Sequence, residues 1–71
     1  MKHIFKLSID CANAAFCEGD TPTPESAAPE LARILRAVAD RIESADTFDT
    51  YRNIQDINGN TVGTFALKYE Q

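Results

Sequence analysis

The dipeptide Asn58-Gly59 limits the fold of this chain more sharply than any other feature. Both residues tolerate positive φ, so the pair favours the two central positions of a tight hairpin turn. Apolar and polar residues alternate on either side of it. With the pair in the centre, Ile57 faces Asn60, Gln55 faces Val62 and Ile54 faces Gly63, which predicts strands over 51–57 and 60–68. Ile54, Phe65, Leu67 and Tyr69 then share one face of the hairpin, while Tyr51, Ile57, Val62 and Ala66 share the other.

A third strand is expected over 3–9, where His3, Phe5, Leu7 and Ile9 alternate with Ile4, Lys6 and Ser8. Between this strand and the hairpin, Leu31, Ile34, Leu35, Val38 and Ile42 recur at helical spacing, with Leu35 in the middle of the stripe. Ser26 is the expected N-cap, which puts Pro29 in the first turn, where its missing N–H does little harm. A start at Thr23 with Pro24 as the first helical residue would set Pro29 deeper inside. The later start therefore predicts a helix over 27–43. Glu30 and Arg41 suit the two ends of its dipole.

These elements specify an α+β fold of the β-α-β-β type. Its three-stranded antiparallel sheet has the order 1-3-2, with the first strand beside the last and one helix packed on one face. Residues 1–71 form a single domain with an extended loop at 11–26, interrupted by two Thr-Pro pairs and long for a connection in a compact domain. Phe16 is its one large apolar anchor and is expected to pack back on the domain. One helix covers one side of the sheet only. The set Ile4, Tyr51, Ile57 and Val62 is thus expected on an open face, as a contact for a partner or a second copy. A chain of 71 residues buries only about 60% of the surface its unfolded form exposes, which makes a homodimer physically reasonable.

Seven Lys and Arg stand against eleven Asp and Glu, a formal net charge of −4, which argues against nucleic acid as the partner. Arg33, Arg36 and Arg41 on the helix do not form one stripe. The 26 residues between Lys6 and Arg33 carry no basic side chain but include Asp10, Glu18, Asp20, Glu25 and Glu30. Glu18, Asp20 and Glu25 in particular make this interval a candidate surface for a basic protein. No apolar run is long enough for a membrane span, and polar residues interrupt the N-terminal apolar positions of any secretion signal. The first residues read as a strand of a protein that stays in the cytoplasm.

Chemistry is sparse. Cys11 and Cys17 are spaced more widely than in common redox or zinc motifs, and the single histidine, His3, has no spaced companions. Free thiols are expected, with a local disulfide as the alternative. No serine or cysteine has an evident base, no glycine-rich phosphate loop is present, and the Asp46/Asp49 pair fits turn capping. No enzyme, metal or cofactor is expected.

The segments Leu31–Ile42 and Ile54–Phe65, the latter containing Asp56-Ile57-Asn58-Gly59-Asn60, follow an Asn13-Ala14-Ala15-Phe16 segment and an apolar strand. In this order they resemble a group of short phage and prophage proteins. The resemblance carries no catalytic residues. It implies an accessory protein in the cytoplasm of a bacterial host cell, acting on a host or phage protein. An inhibitor of a host defence complex, of the anti-CRISPR type, and a nucleic-acid-binding regulator are the alternatives.

Overall fold

A computed structural model describes residues 2–17, 19, 21–44 and 50–70. The elements are strand β1 (Lys2–Ile9), a single 3₁₀ turn (Ala14–Phe16), helix α1 (Pro24–Glu43) and strands β2 (Arg52–Gln55) and β3 (Thr61–Glu70). The sheet is antiparallel with the order β1-β3-β2, and α1 packs on one face, as the sequence patterns predict. β1 and β3 pair without interruption from Lys2↔Glu70 to Ile9↔Gly63. β2 is shorter and pairs only with Thr61–Phe65.

The helix starts at Pro24, earlier than expected. Thr23 Oγ1 accepts from the Ser26 N–H at 3.1 Å, and Ser26 Oγ accepts from the Thr23 N–H at 2.9 Å. This reciprocal capping box satisfies two donors that a helix end otherwise leaves unpaired. Ser26 is therefore not the N-cap but the third helical residue, and its hydroxyl also donates to the Phe16 carbonyl at 2.8 Å. Pro29 lies inside the helix and leaves the Glu25 carbonyl without its usual donor. Both residues are exposed, so water can take that place. The early start also brings Ala27 into the core. The expected 11–26 loop is correspondingly shorter, and it is anchored by Phe16, which is fully buried.

The core consists of Phe16, Ala27, Ile34, Val38, Ile54, Val62 and Phe65, with Leu7, Ile9, Cys11, Ala15 and Ile42 packed around it. Two members of the expected pattern change places. Leu35 is not central to the stripe: it is 44% exposed, while its neighbour Ile34 is fully enclosed. Val62, expected on the open face, is 6% exposed and belongs to the core. The reason is a bulge. Ile54 faces Gly63 as predicted, but Gln55 faces Thr61 rather than Val62, so Val62 is an extra residue whose side chain turns inward.

Arg41 fastens the C-terminal part of the helix to the sheet. Its Nη1 donates to the Asn53 carbonyl at 2.9 Å and its guanidinium lies 4.8 Å from the centre of the Phe65 ring. Gly63 permits β1 to approach: a Cβ at this position would stand 1.9 Å from the Ser8 carbonyl oxygen. We expect Gly63→Ala to separate β1 from β3 and abolish cooperative unfolding. Ile34→Ala should lower stability by about 2–5 kcal/mol through the cavity it leaves. Leu35→Ala should lower it by less than about 1 kcal/mol, since it is half-exposed. Urea melts of the three variants check this order, and a larger loss at Leu35 than at Ile34 contradicts the packing.

Candidate functional site

Two surfaces and one buried cluster hold most of the polar and exposed apolar residues that sequence analysis singles out. The cluster lies where the hairpin tip meets α1 and the segment after β1. Asp56 Oδ1 accepts from the Asn58 and Asn60 N–H groups, both at 2.9 Å, and Oδ2 accepts from the side-chain amides of Asn60 and Asn13, both at 3.3 Å. The Asp56 carbonyl accepts from Gly59 N–H at 3.0 Å, and the Asp56 N–H donates to the Asn60 carbonyl at 2.9 Å. The loop thus contains Ile57, Asn58 and Gly59, with Gly59 alone at the left-handed position that closes it (φ 84°). It is a three-residue loop, not the two-residue turn expected from Asn58-Gly59.

Glu30 reaches the same tip from the helix. Its Oε2 accepts from the Ile57 N–H at 2.7 Å, and Arg33 holds both carboxylate oxygens, Nε on Oε1 at 2.6 Å and Nη2 on Oε2 at 2.9 Å. Glu30 and Asp56 are the two buried charged residues among those described. The Arg33 fork lowers the Glu30 carboxyl below its ordinary range, against the opposing effect of burial, and the Ile57 N–H adds to the lowering. Burial pushes Asp56 up, but the donors from Asn60, Asn13 and Asn58 together outweigh it and hold the group low. Every buried side-chain polar atom described has a partner. The cluster therefore has a structural role, and Glu30 is not available to the acidic surface expected over Cys11–Glu30.

The other predicted site residues are scattered. Glu18 and Asp20 lie outside the described residues, as do Asp46 and Asp49. Glu25 is exposed in the first helical turn. Ile57 is exposed at the hairpin tip rather than on the sheet, and Val62 lies in the core. Only Ile4 and Tyr51 of the four expected face residues stand on the helix-free side.

That side has a different character from the one expected. Alternation along β1 and β3 places Lys2, Ile4, Lys6 and Ser8 beside Thr64, Ala66 and Lys68. All three lysines of the chain are on this face. Glu70 holds the register position opposite Lys2. Ala66, paired with Lys6, is buried below the longer side chains, and Lys68 Nζ stands 5.3 Å from the centre of the Tyr51 ring. Lys6, Leu7, Ser8, Tyr51 and Thr64 line a hollow of about 360 Å³. The hollow is lined more by apolar than by polar surface, with the polar side chains of Lys6, Ser8, Tyr51 and Thr64 among the residues around it.

A second surface lies on the helix side, beyond the reach of α1. Phe5 and Leu67 are direct cross-strand partners, as are His3 and Tyr69, whose rings meet edge to face at 4.9 Å. Phe5, Leu67 and Tyr69 are 43%, 38% and 48% exposed. Sequence periodicity assigned these residues to the correct face. It did not show that the helix covers only the other end of the sheet.

Cys11 and Cys17 are free thiols, and Cys17 Sγ donates to the Asn13 carbonyl at 3.3 Å. Among the described residues no group of three or more His, Cys, Asp or Glu is placed to hold a metal ion, and no helix is long and apolar enough to cross a membrane. Comparison of the chain with family models, curated proteins and solved structures gives no match in any of the three.

The depressed carboxyls of Glu30 and Asp56 link folding to pH. Each folded-state pKa lies below its unfolded value, so the stabilisation is present above the ordinary carboxylate range of 3.8–4.5 and is lost as pH falls through and below it. Wild type should therefore lose more stability between pH 7 and pH 3 than Glu30→Gln/Asp56→Asn. Urea midpoints at the two pH values measure the difference, and an equal drop in both proteins would remove these carboxylates from the acid response.

Proposed function

We propose that this chain is a non-catalytic binding protein whose helix-free sheet face receives an acidic segment of another protein. The observation that carries this reading is the placement of every lysine of a net-acidic chain on one face, which also holds a hollow lined by Lys6, Leu7, Ser8, Tyr51 and Thr64. An Asp or Glu side chain approaching this face enters the positive field of Lys2, Lys6 and Lys68, with the side chains of Ser8, Thr64 and Tyr51 around the hollow. Lys68, held over the Tyr51 ring, extends the positive field to a neighbouring carboxylate.

Acidic protein is favoured over nucleic acid by charge density. Duplex DNA presents one negative charge per about 1.7 Å, and affinity grows with the number of phosphates neutralised. Three lysines offer few such contacts, and the formal charge of −4 repels a polyanion at longer range. A protein segment with a few spaced carboxylates matches the lysine count better. The resemblance to short phage and prophage proteins would make the partner a host or phage protein in the bacterial cytoplasm and the chain an accessory factor. Glu30 adds nothing to the acidic surface that a host-defence inhibitor would use, because it is bound internally by Arg33 and the Ile57 N–H.

Fluorescence anisotropy with a labelled Glu-rich peptide and with a single-stranded oligonucleotide of equal length tests the reading. The peptide should bind more tightly than the oligonucleotide, and Lys6→Glu/Lys68→Glu should weaken it about tenfold or more at low salt, with a smaller effect at high salt. Tighter binding of the oligonucleotide would favour the nucleic-acid class. Peptide binding unchanged by the charge reversal would exclude this face.

A further inference from the structure

We infer that two copies of this chain associate through the edges of their β1 strands, in an antiparallel register centred on Phe5, to form one six-stranded sheet. β1 is an edge strand of eight residues, long for an edge in so small a domain. The Asp10 N–H donates to the Val62 carbonyl at 2.7 Å, which fixes the parity of the ladder. Backbone groups of even-numbered β1 residues point to β3, and those of His3, Phe5 and Leu7 point to the outer edge.

Side-chain charge selects the register. A two-fold axis through Ile4 would set Lys2 against Lys6 of the second copy, and an axis through Lys6 would set the two Lys6 residues against each other. Like charges directly opposite are unfavourable. An axis through Leu7 would pair only residues 5–9. With the axis through Phe5, residues 2–8 pair, Lys6 stands across from Ile4, Lys2 stands across from Ser8, and no lysine faces another. Phe5 pairs with Phe5, and His3 with Leu7, through the outward backbone groups.

This register also explains the exposed apolar residues on the helix side. Leu67 and Phe5 of one copy continue directly into Phe5 and Leu67 of the other, and the row Tyr69–His3 continues into Leu7–Phe65. The patch becomes the floor of a trough between the two helices. Surface area is consistent with the association. The chain exposes 4953 Å², against about 4,400 Å² for a compact monomer of its mass. The difference of roughly 550 Å² approaches what one partner contributes to the smallest specific interfaces, which bury about 1,200 Å² in total. The radius of gyration of 13.4 Å likewise exceeds the roughly 11 Å expected for a compact chain of this length.

The association does not depend on what the helix-free face binds, because the two-fold axis runs through the sheet and leaves both basic faces on one side. Light scattering of the wild-type protein over 1–200 µM should show a monomer–dimer equilibrium. Across the same range, hydrogen exchange of the His3 and Leu7 amides should slow as dimer forms. Ile4→Lys and Ile4→Glu remove the same side chain from each protomer but place opposite charges across from Lys6 of the second copy. The Lys variant should dimerise at least tenfold more weakly than the Glu variant. A wild-type monomer at 200 µM would overturn the inference, as would a dimer whose His3 and Leu7 amides remain unprotected. A dimer in which Ile4→Lys and Ile4→Glu associate equally well would overturn the register. None of these readouts uses an acidic ligand, so their failure is distinct from failure of the peptide-binding reading.

Discussion

Two buried carboxylates, Asp56 of the hairpin tip and Glu30 reaching it from α1, hold this fold together. Asp56 gathers the N–H groups of its own loop and the Asn13 amide, and Glu30 takes the Ile57 N–H while Arg33 neutralises it. A three-residue loop exposes more backbone donors than a two-residue turn, and these donors need acceptors. Asp56 and Glu30 supply them. The same bonds join the hairpin to α1 and to the segment after β1, so the three parts of the chain close on one point. Burial of charge is costly unless the charge is paired and hydrogen-bonded. Here each carboxylate has several donors, which is why both remain ionised inside a small domain.

The consequences extend along the sheet. Once Asp56 sets the loop length, Gln55 meets Thr61, Val62 becomes a bulge, and its side chain joins the core. The extra twist of a bulge brings β3 close to β1, and Gly63 is the residue that tolerates the contact with the Ser8 carbonyl. On the helix, the buried arc is turned toward Glu30 because its carboxylate must reach Ile57. Ile34 and Val38 lie on that arc. Leu35, about 100° further round, turns partly to solvent.

The element order, the strand order and the assignment of most residues to sheet faces were legible from two periodicities and one turn signal. The errors share a cause: each depends on a side chain acting on backbone some distance away. Asn58-Gly59 alone suggests a two-residue turn, whereas Asp56 two positions earlier selects the longer loop with glycine at its end. Thr23-Pro24-Glu25-Ser26 contains the N-cap and its reciprocal partner, but Pro29 conceals them by making a later start look cheaper. The lysine face could have been found by applying the alternation to charged residues as well as apolar ones. The part-exposed end at Leu67 and Tyr69 could not, because no local pattern tells where a helix crosses a sheet.

The two outward surfaces follow from the same economy of size. A single helix anchored at the hairpin tip by Glu30 and at its other end by Arg41 covers β2 and the adjoining part of β3. The paired ends of β1 and β3 extend past it, carrying apolar side chains on one face and lysines on the other. A two-stranded ribbon with an exposed apolar face is marginal by itself in water. Extending the sheet with further strands is the structural remedy that leaves the opposite face unchanged. In this chain that opposite face holds Lys6, Lys68 and the hollow beside Ser8, Tyr51 and Thr64. The proposed edge pairing and the proposed binding surface therefore make compatible demands on β1: odd residues meet the helix side, and even residues build the basic face.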